Sequence, residues 1–64
     1  MTLVCKKSLR KSTYRGNAFV KGRSYEVIRE DDYVWLRDEH EREFNFARQA
    51  DYISYLLSDY FEDP

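Results

Sequence analysis

The chain has 64 residues, of which 36% are charged, with a net charge of −1. Its single cysteine, Cys5, excludes an internal disulfide, and one Cys with one His excludes a zinc quartet. No apolar run approaches the roughly 20 residues that span a bilayer, and no apolar segment follows the early lysines as a secretory leader would require.

The elements are predicted as one domain over 1–64. Leu3, Val4 and Cys5 build a first strand over 2–6. Residues 7–18 form a basic stretch with Ser8, Ser12, Thr13, Gly16 and Asn17, the composition of an irregular loop or loose hairpin, and Lys21-Gly22 reads as a turn. Residues 24–30 alternate, with Tyr25 and Val27 on one face and Glu26 and Glu30 on the other. Asp31-Asp32 turns the chain into an apolar strand over 33–38, rich in strand formers. A polar turn, 38–41, leads to a third strand over 42–46 that places Phe44 and Phe46 together. Three short strands with tight polar connections read as an antiparallel meander. Tyr52, Tyr55, Leu56 and Tyr60 then fall near helical spacing, which predicts a short helix over about 49–58. Tyr60-Phe61 reads as a last short strand or a packed tail, and 62–64 as frayed. The expected class is mainly β with one short C-terminal helix. The alternative is α+β, a three-stranded antiparallel sheet packed on a helix. Six tyrosines, four phenylalanines and Trp35 supply the core, each able to bury roughly 150–250 Å².

Charge is sorted along the chain. Residues 1–23 hold no acid and seven bases: Lys6, Lys7, Arg10, Lys11, Arg15, Lys21 and Arg23. All twelve acids follow, against Arg29, Arg37, Arg42 and Arg48. Such asymmetry points to a polyanion site, to an acidic interaction surface, or to two halves that neutralise each other across the fold.

Catalysis finds little footing. His40 sits between Glu39 and Glu41, which favour its charged form and make it a poor base. Cys5 lies in an apolar strand with no base beside it. The acids at 30–32 and 38–43 lack the spacing of a calcium loop, and Gly16 and Gly22 stand apart, so no phosphate-cradling loop forms. Neither an enzyme nor a cofactor is expected. Two binding surfaces are. If Val34 and Leu36 face the core, alternation puts Tyr33 and Trp35 outside with Ile28, ringed by Glu30, Asp31, Asp32, Asp38 and Glu39: an acidic, aromatic protein-binding face. The competing placement packs Trp35 beneath the 49–58 helix. The second surface is nucleic-acid-binding: Lys6, Lys7, Arg10, Lys11 and Arg15 would contact phosphates, and Tyr14 would stack on a base.

The series Phe19-Val-Lys-Gly22, Tyr25-Glu-Val27, Asp31-Asp32, Tyr33-Val-Trp-Leu, Asp38, a turn, Phe44-Asn-Phe46 and Tyr60-Phe61 resembles a large class of very small phage and prophage proteins. The resemblance covers about residues 3–61. It implies a small SH3-like β-barrel acting in the bacterial cytoplasm. With the acidic, aromatic face, the expectation is a non-catalytic protein that binds and modulates a host or phage protein, as a monomer or weak homodimer. Glu41 stands where that pattern has its turn glycine, so 38–42 must turn without the residue that most easily adopts positive φ. The predicted helix is also longer than the connection in that class.

Overall fold

The structure, a computed structural model, describes residues 1–10, 15–48 and 55–64. Within these the strands are β1 (Thr2–Cys5), β2 (Leu9–Arg10), β3 (Asn17–Phe19), β4 (Ser24–Glu30), β5 (Tyr33–Arg37), β6 (Glu43–Ala47) and β7 (Phe61–Glu62). One helical turn, α1 (Leu57–Tyr60), precedes β7. The fold is mainly β: among the described residues, a curled antiparallel half-barrel sheet with a single short C-terminal helix.

Five strands form the main sheet in the order β6-β5-β4-β1-β7, with β4 at its centre. The meander β4-β5-β6 follows from the alternation of apolar residues and the two polar turns. Its register pairs Val34 with Phe46 and Leu36 with Phe44, so the apolar residues of neighbouring strands share one face. β1 returns antiparallel to β4 and pairs Leu3 with Tyr25. β7 pairs with the other edge of β1, Cys5 opposite Phe61 and Val4 opposite Glu62, so Glu62 lies in a strand where a frayed tail was expected.

The basic stretch contains a hairpin. β2 pairs with β3, and this small second sheet sends Leu9, Ala18 and Phe19 into the same core as Leu3, Cys5, Tyr25, Leu36, Phe44, Phe46 and Phe61. Phe19 is fully buried and meets the rings of Tyr25, Phe44, Phe46 and Phe61 at centroid distances of 4.8, 5.5, 5.4 and 5.1 Å, with interplanar angles of 79°, 88°, 65° and 88°. Edge-to-face contacts of this kind add to simple burial, and they explain how so short a chain closes a core.

The helix expected over 49–58 is corrected at its described end. Residues 49–54 lie outside the described set. Tyr55 and Leu56 are extended: Leu56 forms a parallel bridge with Ala47, and the Ala47 N–H donates to the Tyr55 carbonyl at 2.9 Å. The helical turn starts only at Leu57. Tertiary pairing with β6 thus overrides the helical spacing of these aromatics. Among the described residues, the alternative of three strands on a helix gives way to a five-stranded main sheet and one turn of helix.

Candidate functional site

β5 buries Val34 and Leu36 at 1% and 0% exposure, and Tyr33 and Trp35 project from the opposite face. Trp35 is half-buried there; its cross-strand partners are Asn45 on β6 and Arg29 on β4. Strict alternation from Tyr25 and Val27 would turn Arg29 towards the core. A register shift between Val27 and Arg29, at Ile28, adds one residue to β4 and brings Arg29 opposite Trp35. The guanidinium lies over the indole at 4.2 Å. Asp31 closes the arrangement. The Trp35 indole N–H donates to its carboxylate, at 3.0 Å to Oδ1 and 3.2 Å to Oδ2, and the Tyr33 backbone N–H donates to Oδ1 at 2.8 Å. Arg29 also forms ion pairs with Asp31 at 3.6 Å and Glu43 at 3.3 Å. The Asp31 carboxyl is held below the ordinary range, first by the Tyr33 N–H and then by the Trp35 indole.

The expected protein-binding residues therefore divide. Ile28, Tyr33, Trp35, Asp31 and Asp32 gather at the β4–β5 hairpin, with Tyr33 exposed at 37%. Glu30 is exposed at the same hairpin and pairs with Arg48. Asp38 and Glu39 are used at the far end of β5. Asp38 is buried, and its Oδ1 accepts the backbone N–H groups of His40 at 2.8 Å and Arg42 at 3.0 Å, which fixes the β5–β6 turn. Its Oδ2 is buried with no hydrogen-bond partner among the described residues. In this turn Glu41 takes φ of 59°, the conformation that a glycine would adopt more easily. Glu39 is half-buried, and its Oε1 accepts the Tyr25 hydroxyl and the Arg23 guanidinium, each at 2.7 Å. These contacts, the Tyr25 hydroxyl foremost, lower the Glu39 carboxyl. Burial pushes Tyr25 up to about 12.

The basic residues sit elsewhere. The turn after β1 and the turn before β4 lie side by side: the Gly22 N–H donates to the Cys5 carbonyl at 2.7 Å and the Lys21 N–H to Ser8 Oγ at 2.9 Å. This places Lys6, Lys7 and Lys21, all exposed, on one corner. The Lys6 N–H donates to the Tyr60 carbonyl at 2.8 Å, and Lys7 Nζ lies 5.3 Å from the centre of the Tyr60 ring. Arg10 and Arg15 are exposed on the β2–β3 hairpin, whereas Lys11 and Tyr14 lie outside the described residues. Among the described residues, ion pairs link Arg23, Arg29 and Arg48 to acids and leave Lys6, Lys7, Arg10, Arg15 and Lys21 out. Arg29, Lys21, Tyr55 and Tyr60 were not singled out by sequence as members of either surface. For Arg29 the reason is the bulge. For the others it is the pairing of distant turns.

Among the described residues no three His, Cys, Asp or Glu side chains come together as a metal set. No helix among them is long and apolar enough to cross a membrane. Cys5 is buried, donates its thiol to the Lys7 carbonyl, and has its pKa raised by burial. No protein-family model matches the chain, and neither the curated proteins nor the solved structures searched contain a significant match.

Proposed function

We propose that this protein is a small non-catalytic binding module of the phage type its sequence resembles, engaging and modulating a host or phage protein through the outer face of the β4–β5 hairpin. The observation that carries the reading is the fixed presentation of Trp35. Its indole stands on the face opposite the core, with Arg29 over the ring and Asp31 on its N–H. An aromatic held in one orientation has little conformational freedom left to lose on association, and tryptophan is the residue most often found at energetic centres of interfaces. Tyr33 and Ile28 extend the apolar contact. Asp32 at the hairpin, outside the described ion pairs, favours encounter with a basic partner surface, while Glu30 and Asp31 are engaged with Arg48 and Arg29. Asp38 and Glu39, spent within the fold, have no part in it. The setting is the bacterial cytoplasm, with the protein a monomer or weak homodimer.

The test is retention from bacterial lysate on immobilised protein. A specific partner binds wild type saturably, leaves with added salt and is lost on Trp35→Ala. With that partner purified, Trp35→Ala weakens binding by about 2 kcal/mol, roughly 30-fold. If wild type and Trp35→Ala retain the same set of proteins, this reading fails.

A further inference from the structure

The Lys6–Lys7–Lys21 corner is a second surface, independent of the Trp35 face. β4 runs from one to the other. Arg23, just before its first residue, accepts the Cys5 N–H on its carbonyl, and Asp31 follows its last residue. Seven extended residues at about 3.3 Å each put the lysines roughly 20 Å from the hairpin tip, and Tyr55 lies between, its carbonyl accepting the N–H of Ala47, the cross-strand partner of Tyr33.

The corner has two properties together. Its lysines are exposed and lie outside the described ion pairs, so their charge is available. Beside them is an aromatic step. Lys7 covers the half-buried Tyr60, and the Tyr60 ring lies 5.8 Å from that of Tyr55, which is exposed at 42%. Tyr55 is itself seated against Phe44 and Phe46, at 5.5 and 6.4 Å, so it stands on the core and does not swing freely. Exposed lysines on one corner, with Lys7 over Tyr60 and Tyr60 against the exposed, supported ring of Tyr55, match a strand whose phosphates alternate with unstacked bases. A duplex keeps its bases stacked inside and would use the lysines alone. Asp59 and Glu62, exposed on α1 and β7, border the corner and oppose any polyanion that does not engage the lysines directly.

We infer that this corner binds single-stranded nucleic acid, with Lys6, Lys7 and Lys21 on phosphates and Tyr55 stacking on a base. Contacts to three phosphates set a slope of log affinity against log salt of about −2 for a single strand.

The test is fluorescence anisotropy with labelled oligo(dT) and oligo(U), and with a duplex of the same length, heparin and phosphatidylglycerol vesicles as competitors. Wild type binds the single strands saturably at low salt with that slope. Replacing Lys6, Lys7 and Lys21 together by Gln abolishes the salt dependence and most of the affinity. Tyr55→Ala weakens single-strand binding about tenfold, and Tyr55→Phe restores it, since stacking needs the ring and not the hydroxyl. Far-ultraviolet circular dichroism confirms that each variant is folded. The inference is overturned if no anisotropy change appears at low salt and micromolar protein. It is equally overturned if the triple Gln variant binds as wild type does. Equal competition by duplex, heparin or vesicles, with Tyr55→Ala neutral, rejects single-stranded nucleic acid as the ligand.

Discussion

Asp31 accepts the indole N–H of Trp35, four residues further along the chain, while its backbone opens the turn that separates them. One carboxylate thus closes the β4–β5 hairpin, through the Tyr33 N–H, and orients the aromatic ring that the hairpin presents. The two roles share one titration. The Asp31 pKa is depressed, so its contribution is present above the ordinary carboxylate value of about 3.9 and is lost as pH falls through the lower folded value. Trp35 is the single tryptophan, so its emission reports on this site. An inflection is expected below about pH 3.9, and Asp31→Asn, which keeps an acceptor oxygen but has no such titration, should remove it.

Glu41 holds φ of 59° in the β5–β6 turn. Left-handed backbone disfavours a residue with a Cβ by about 1–2 kcal/mol, and the extra freedom glycine has when unfolded returns part of that. Glu41→Gly should therefore stabilise the protein by about 0.5–1 kcal/mol, and Glu41→Val should destabilise it. Urea unfolding of the three proteins checks the order.

Asp38 supplies the acceptor for two backbone N–H groups of the same turn from a buried position. Asp38→Ala removes that acceptor and should cost about 2–3 kcal/mol. Asp38→Asn keeps the Oδ1 acceptor but sets an amide donor where Oδ2 has no partner, so it should cost less than Asp38→Ala, about 1–2 kcal/mol. Equal loss in both variants would refute this account of the turn.

Tyr25 donates to Glu39 and accepts the Val20 N–H at 2.8 Å. Its folded pKa, about 12, lies above the ordinary value. The sign is that of a raised group: the stabilisation is complete below about pH 10 and disappears as pH rises towards the folded value. Tyr25→Phe should lower stability by about 1–2 kcal/mol at neutral pH. It should also flatten the decline above pH 10, as read from urea midpoints across that range.

Phe19 is the ring on which four others converge. Truncating a buried phenylalanine to alanine costs about 3–5 kcal/mol, and a domain of this length has only about 3–10 kcal/mol in total. Phe19→Ala is expected to be largely unfolded by circular dichroism, whereas Phe19→Leu should fold with a lowered melting temperature.

Much of the scaffold was legible in the sequence. The strand expected over 24–30 corresponds to β4, Ser24–Glu30, with its alternation kept as far as Val27, and the spacing of Phe44 and Phe46 marks the inner face of β6. Such patterns are read directly because a strand buries every second residue. Tyr55 and Leu56, within the helix expected over 49–58, misled for the converse reason. The aromatics of that segment repeat at helical spacing, yet Leu56 lies beside Ala47 and Tyr55 against Phe44, contacts that no local pattern encodes. The acids misled in another way. A turn rich in Asp and Glu reads as solvated, and only the fold shows Asp38 turned inward and Glu39 joined to Tyr25.

By itself, the sequence determined the mainly β class, the meander, the outward placement of Tyr33 and the separation of basic from acidic residues along the chain. Those are consequences of period and composition, which are local. Tertiary structure decided which charges meet. Arg29 reaches Trp35 because a bulge adds one residue to β4, and Arg23 reaches Glu39 because the turn before β4 lies near the turn after β5. Lys6, Lys7 and Lys21 converge because two hydrogen bonds, Gly22 N–H to the Cys5 carbonyl and Lys21 N–H to the Ser8 hydroxyl, join two turns thirteen or more residues apart. Electrostatic partnership depends on distance in space and is screened beyond about 8 Å at physiological salt, and a one-residue shift in register is enough to redirect it.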